Sequence, residues 1–339
     1  MQVLVTGGTG FLGSYLARAL LAQGHQVRLL GRNFAPVQHL LAQGAIALPA
    51  DLRDRAAVVA ACAGADVVYH AGAKSEPWGR RADFHAINVG GTAHVIAGCQ
   101  AHAVRRLVYI SSPSVIFTGR DQHLLAEAQP YPRRFTSVYA HTKKLGEDLV
   151  NQAIGLETVI IRPKALFGPG DTALLPRLIS AARAGRLPLI GDGRNQVDLS
   201  YVENVADALV LALDAPRAVG NTYTITNGEH VRLWDVIFEL LQALGLSTQL
   251  RRIPLALALV AAGAMELRAA ASGQEPLLTR YTAAILARTQ TYDITAARRD
   301  LGYNPRVSVA EGVARTLAAV QQNRRTVEPR NRGRATPSG

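Results

Sequence analysis

Cysteine, lysine, methionine and aromatic residues are all scarce in this 339-residue chain. Its two cysteines, Cys62 and Cys99, lie far apart in alanine-rich surroundings. Two thiols so placed fit buried side chains in a reducing compartment better than a disulfide, and they cannot build a metal site. The chain begins directly on strand-forming residues, without a basic leader and an apolar signal core, so a cytoplasmic protein is expected. Long apolar runs are missing as well. The nearest is residues 253–265, IPLALALVAAGAM, which falls short of the ~20 residues of a membrane span. A buried helix is expected there. The alternative is a helix lying on a membrane surface or lining an entry route for an apolar substrate, with Arg251 and Arg252 at its head.

Lysine occurs only at positions 74, 143, 144 and 164, so the net charge of +12 rests on scattered arginines. Without a basic helix or a patch interleaved with aromatics, nucleic acid is not expected as a partner. The excess charge would still attract acidic ligands. Residues 323–339, NRRTVEPRNRGRATPSG, are basic, contain Pro and Gly and show no periodicity, and are expected to be disordered. The remainder, with 48% hydrophobic residues overall, suffices for a large core in one domain or two interlocked ones.

What the chain does have begins at its start. Gln2 to Thr6 is a short apolar run suited to a buried parallel strand, and residues 13–23 carry helical apolar spacing. Between them stands TGGTGFLG. Glycines at 7, 10 and 13 permit a sharp turn, close approach of backbone N–H groups to a pyrophosphate, and tight packing of helix on strand. With a second strand at 25–30, this order predicts a dinucleotide site built on Gly7, Gly10, Phe11, Leu12 and Gly13. An acid at the end of the second strand would select NAD by binding the ribose 2′-hydroxyl. Gly31 stands there instead, followed by Arg32, and the pair favours NADP(H) over NAD(H). Further strands are expected at 45–49, 66–70, 106–111 and 158–162, separated by Ala-rich helices, which implies a doubly wound parallel sheet of the Rossmann type. Asp51, Leu52, Ala71 and Ala73 follow strands and become cofactor-wall candidates, as does Pro163.

The chemistry is expected from YISSPSV and SVYAHTKKLGE. Ser111, Ser112 and Ser114 fall at a strand's carboxyl end, and Tyr139 and Lys143 share one helical face. A tyrosine beside a lysine and a charged nicotinamide can have its pKa lowered, so that it exchanges a proton with an alcohol or carbonyl oxygen that Ser112 polarises. Trp78 and Phe117, on loops after strands, are candidate substrate contacts, with Ser114 beside them.

In these motifs the chain resembles the extended short-chain dehydrogenases/reductases of the NAD-dependent epimerase/dehydratase superfamily, over roughly residues 1–320. The resemblance puts Ser112, Tyr139 and Lys143 on the catalytic triad and Asn88, in AINVGGT, on the central-helix asparagine. Sugar-nucleotide members carry an Asn within R-x-x-N-x-Y-G-P, where this chain has Ala165. The segments HAGAKSEPWG (70–79), SSPSV (111–115), RPKALFGPGD (162–171), EPLLTRY (275–281) and YDITAARRDLGYNPRVSVAEG (292–312) look like the 3β-hydroxysteroid dehydrogenase branch. Within it they are similar to the reductases of 2-alkyl-3-oxoalkanoates and to the sterol 4α-carboxylate dehydrogenases.

The resemblance implies a dinucleotide domain at 1–165, with 195–228 returning to it, and a smaller substrate part at 166–194 and 229–320. It further implies a homodimer and oxidoreduction of a secondary alcohol or ketone on a hydrophobic body. Lys74, Lys164 and Arg280 are candidates to bind a substrate carboxylate. Two other readings compete: a sugar-nucleotide epimerase or dehydratase, which Ala165 and Gly31 disfavour, and a dinucleotide sensor, which has no use for a proton donor.

Overall fold

The computed structural model describes residues 1–327. Seven strands form a parallel sheet: β1 Gln2–Thr6, β2 Gln26–Gly31, β3 Ile46–Pro49, β4 Val67–His70, β5 Arg106–Ile110, β6 Glu157–Pro163 and β7 Thr222–Ile225. Their order across the sheet is β7-β6-β5-β4-β1-β2-β3, all pairs parallel. Parallel strands need helical crossovers, which cover both faces, and the strands are accordingly apolar throughout. One face packs Val3, Val5, Leu29 and Val159 with the helix Phe11–Ala22; the other packs Leu4, Val68, Leu107 and Ile160 with Val58 and Val95. Cys62 and Cys99 are free, fully buried, and in side-chain contact with each other across that second layer.

The strand order reverses between β1 and β4, and a crevice at the carboxyl ends of the strands is expected at such a switch. Six of the seven strands lie where the apolar runs place them, within a residue at each end. The seventh, β7, joins β6 at the sheet edge in register from Thr222–Ile160 to Ile225–Pro163.

A smaller four-stranded sheet stands over one end, in the order His230–Arg232, Gln196–Asp198, Gln290–Tyr292, Gln122–Leu125. It draws strands from four distant parts of the chain. Its surroundings include the helix Leu233–Ala243, whose Trp234 is fully buried and donates its indole N–H to the Leu286 carbonyl at 2.9 Å.

Two expectations are corrected. The helix containing residues 255–265 runs on to Ser272, 18 residues, long and apolar enough by length and composition to cross a membrane. Nor is it buried: Leu257, Val260 and Leu267 are exposed, and only Ala258, Ala262 and Ala269 are buried. Small residues at helical spacing let it approach the helix Arg280–Ala287 closely, and the large ones are left outside. The tail expected to be disordered from 323 is helical through Val327, as the end of Val309–Val327. Residues 328–339 lie outside the described residues.

Candidate active site

The nucleotide turn is built by contacts that admit no side chain. Gly7 has φ +67, and a Cβ there would lie 2.6 Å from the Gly72 backbone. The end of β1 thus touches the end of β4. A Cβ on Gly13 would collide with the Gly7 carbonyl oxygen. The helix Phe11–Ala22 follows at once, with Gly10 as N-cap and no side-chain cap, so its first N–H groups are available to an anion. Phe11 stacks edge-on against Tyr15, and Leu12 is buried beneath the turn. This cradle, which a single Cβ would fill, fits a dinucleotide pyrophosphate.

Around it stand the other expected cofactor contacts. Ala71 donates its N–H to the Thr6 carbonyl at 3.1 Å, and Leu52 packs against Gly72 and Gly91. Ala73 is partly buried in the stretch after β4, and Pro163 is buried at the end of β6.

At the adenosine end, Arg32 Nη1 lies 3.8 Å from Asp51, with its side chain 72% exposed. The Arg53 guanidinium grips the same carboxylate at 2.8 and 2.9 Å and, more than any other group, holds its pKa down to about 2. Arg32 is therefore the looser partner. Gly31 has a second reason to be glycine: a Cβ there would sit 2.7 Å from the Thr9 side chain. A side chain at 31 would have to displace that of Thr9.

Ser112 lies just past β5 and caps the turn Pro113–Ile116, accepting the Ser114 N–H at 3.3 Å. Ser137 caps the helix Val138–Asn151 through the Ala140 N–H at 3.1 Å, and that helix sets Tyr139 and Lys143 one turn apart. Tyr139 lies close enough to Ser112 for that hydroxyl to favour its phenolate. Burial pushes its phenol up to about 12, against the pull of Ser112. Lys143 is 2% exposed, with Nζ 4.0 Å from the Tyr109 ring centroid, and burial brings its ammonium down to about 7 although Glu147 opposes this. The expected lowering of the tyrosine by the lysine is thus not produced by the protein's own groups. Desolvation outweighs the Ser112 hydroxyl at Tyr139 and the Glu147 charge at Lys143.

Asn88 lies in a π-helical turn, His85–Gly90, a distortion frequent at functional sites. Its amide clamps the β4 loop in both directions, accepting the Lys74 N–H at 2.7 Å and donating to the Lys74 carbonyl and to Thr142 Oγ1 at 3.0 Å each. Its side chain therefore ties the loop to the helix that carries Tyr139 and Lys143. His70 extends the clamp, bonded to Thr6 at 2.7 Å and Thr92 at 3.0 Å; burial lowers it to about 3, so it stays neutral.

The expected substrate contacts separate. Trp78 lines a cleft of about 390 Å³ with Gly263, Glu266, Leu267 and Arg280. Phe117 is 1% exposed, inside the molecule instead of on a rim, and meets the Tyr281 ring edge-on at 6.4 Å. Ser114 is buried with its hydroxyl unpaired. Lys74 pairs with Glu76 at 3.1 Å, whereas Lys164 donates to Gln290 Oε1 at 2.7 Å. Tyr281, Tyr292 and Gln290 were missed in the sequence, because nothing in their spacing relates them to Tyr139.

A profile of the 3-beta hydroxysteroid dehydrogenase/isomerase family matches residues 4–257. The chain belongs to that family. It is 42% identical to the 2-alkyl-3-oxoalkanoate reductase of Stenotrophomonas maltophilia (strain K279a), over 94% of this chain and 99% of that one. It is 36% identical to 3beta-hydroxysteroid-dehydrogenase/decarboxylase isoform 1 of Arabidopsis thaliana, over 93% of this chain and 78% of that one. Among solved structures, a double mutant of the dTDP-glucose 4,6-dehydratase of Streptomyces venezuelae, with NAD bound, superposes with TM-score 0.76 at 26% identity, covering 97% and 99% of the two chains. The UDP-glucuronic acid 4-epimerase of Bacillus cereus, in complex with NAD, shares the fold with TM-score 0.75 at 23% identity, covering 95% and 99%. As a member of the 3-beta hydroxysteroid dehydrogenase/isomerase family, the chain is an NAD(P)-dependent dehydrogenase or reductase.

Proposed function

We propose that the chain interconverts a secondary alcohol and a ketone on a hydrophobic substrate, a 3-hydroxysteroid or a long-chain 3-oxo or 3-hydroxy acid, with Tyr139 as acid and base and NADP(H) as the preferred dinucleotide. The observation that carries this reading is Ser112, just past the carboxyl end of β5, close enough to act on the Tyr139 phenol, with Lys143 one helical turn along the same helix and the Gly7 cradle at the carboxyl end of β1 in the same sheet. A nicotinamide dinucleotide bound in that cradle supplies or accepts the hydride. Gly7, Gly10 and the first turn of Phe11–Ala22 would hold its pyrophosphate, and Arg32 its 2′-phosphate.

In reduction Tyr139 gives its phenolic proton to the ketone oxygen as the carbonyl carbon becomes a carbinol; in oxidation it takes the proton back. A phenol pushed up to about 12 stays protonated at neutral pH, which suits the donor role. Ser112 orients the oxygen. Lys143, when charged, favours the phenolate that forms after transfer. Relatives named for alkyl-oxoalkanoate and hydroxysteroid substrates support an apolar body.

An epimerase or dehydratase is the second reading, and the likeness to the two sugar-nucleotide enzymes favours it. The chain lacks an amide at Ala165, where the R-x-x-N-x-Y-G-P motif of sugar-nucleotide members has asparagine.

Tyr139→Phe keeps the ring and removes the proton, so turnover should fall by about a hundredfold or more while dinucleotide binding persists. Unchanged turnover would end the assignment. Arg32→Ala should weaken NADPH by about 1 kcal/mol, the upper range for an exposed pair, and spare NADH. Equal effects on both dinucleotides would make Arg32 a loop support with no role in reading the phosphate.

A further inference from the structure

Lys74, Arg280 and Lys164 are the cations that could receive an acidic group on the substrate. Two of them already have anionic partners: Lys74 Nζ lies 3.1 Å from Glu76, and Arg280 Nε 2.7 Å from Glu266. Lys164 makes no ion pair among the described residues. Its Nζ donates to the neutral Gln290 Oε1 at 2.7 Å and lies 5.6 Å from the Tyr292 ring centroid. Asp198 is the acid that acts on it, and the Asp198 carboxylate is already engaged by His230, Thr226 and the Tyr292 N–H. Burial brings the Lys164 amine down to about 8 in spite of Asp198. An amine so placed gains by acquiring an anion.

Its position relates it to the chemistry. Ile110 is paired with Ile161, so Lys164 lies one residue beyond the level of Ser112 on the neighbouring strand. Lys164 and Ser112 thus follow the ends of adjacent strands, which lie about 4.8 Å apart in such a sheet. Four polar atoms in the same neighbourhood are buried without partners: Ser111 Oγ, Ser114 Oγ, Gln290 Nε2 and Tyr292 Oη. Their residues are 4, 7, 1 and 2% exposed. Buried polar atoms are ordinarily paired, and an apolar ketone alone would leave these as they are. Tyr281 continues the wall from Tyr292 to Tyr139, each close enough to feel the next one's charge.

We propose that Lys164, with Gln290 and Tyr292, forms an anion subsite that binds the carboxylate of a 3-oxo or 3-hydroxy acid and so sets which carbon faces Tyr139. The proposal rests on the alcohol–ketone reading above and narrows it: the apolar body carries a carboxylate next to the reacting carbon, and a plain steroid alcohol is the poorer substrate.

Long-chain 3-hydroxy acids, stable where the 3-oxo acids lose carbon dioxide, would be oxidised with NADP⁺ and NAD⁺ and compared with their methyl esters by following the reduced dinucleotide. The wild type should use the acid better than the ester by roughly ten- to hundredfold in kcat/KM, the worth of one charge-assisted hydrogen bond. Lys164→Met should collapse that ratio toward one, mainly through KM for the acid, and Lys164→Arg should restore part of it. Acid and ester used equally by the wild type would overturn the subsite and leave the oxidoreductase reading standing, whether or not the variants fold. An acid preference that survives in Lys164→Met would also overturn it. If neither acid, ester nor any apolar secondary alcohol is oxidised, the functional reading itself fails and takes the subsite with it.

Discussion

At the scale of single residues, Ala165 shows how a missing side chain can matter twice. It replaces the asparagine of the sugar-nucleotide motif, and its backbone is left-handed, with φ +44. Asparagine adopts that region readily and alanine does not, the penalty being on the order of 1 kcal/mol. Ala165→Gly should therefore raise the free energy of unfolding by about 0.5–1 kcal/mol, read from the midpoint of chemical denaturation. A loss of stability would mean that the Ala165 methyl, packed against the Phe167 and Leu199 cluster, contributes more than the backbone costs. The candidate triad can be picked out at this scale because its residue types and order are specific: a serine at a strand end, then a tyrosine and a lysine four apart. Their protonation was not legible. Tyr139 rises and Lys143 falls because both are desolvated, and burial depends on segments far away in the chain.

At the scale of elements, the helix Val138–Asn151, which carries Tyr139 and Lys143, is fastened to β6 by one buried ion pair. Arg162 meets Glu147 through two bonds of 2.8 and 2.7 Å, and Tyr131 donates to the same carboxylate at 2.6 Å. The side chains of Arg162 and Glu147 are 3% and 0% exposed. Removing one partner of such a pair strands the other charge, so Glu147→Ala should cost about 3–5 kcal/mol and lower turnover by loosening Tyr139. A cost below about 1 kcal/mol, measured by denaturation, would show that the helix is held chiefly by its apolar face. The strands of the large sheet could be read because buried parallel strands are continuous apolar runs. The strands of the small sheet are three or four residues long, such as Gln196–Asp198, and a period of two leaves no signal over so short a run. The helix Leu255–Ser272 was misread for a related reason: composition alone marks it as core, but its alanines are the residues that face inward.

At the scale of the whole molecule, the glycine turn fitted to a dinucleotide lies at the switch point between β1 and β4. Ser112 and Lys164 follow the ends of β5 and β6, and the small sheet brings Gln290 and Tyr292 against Lys164. The first half of this arrangement is local in sequence and was readable from it. The second half is assembled from segments more than a hundred residues apart, and no spacing announces it. The central claim is net transfer of hydride and proton between the dinucleotide and an apolar ketone beside Tyr139. The direct measurement is one spectrophotometric panel on the purified chain, following NADPH and NADH consumption with 3-oxo acids of rising chain length, 3-oxosteroids, and UDP- and dTDP-sugars. The account predicts consumption of stoichiometric NADPH with the apolar ketones, kcat/KM rising with chain length by up to ~0.8 kcal/mol per buried methylene until the cavity fills, and no net consumption with the sugars. Conversion of a nucleotide sugar exceeding that of every apolar ketone, without net use of dinucleotide, would contradict it.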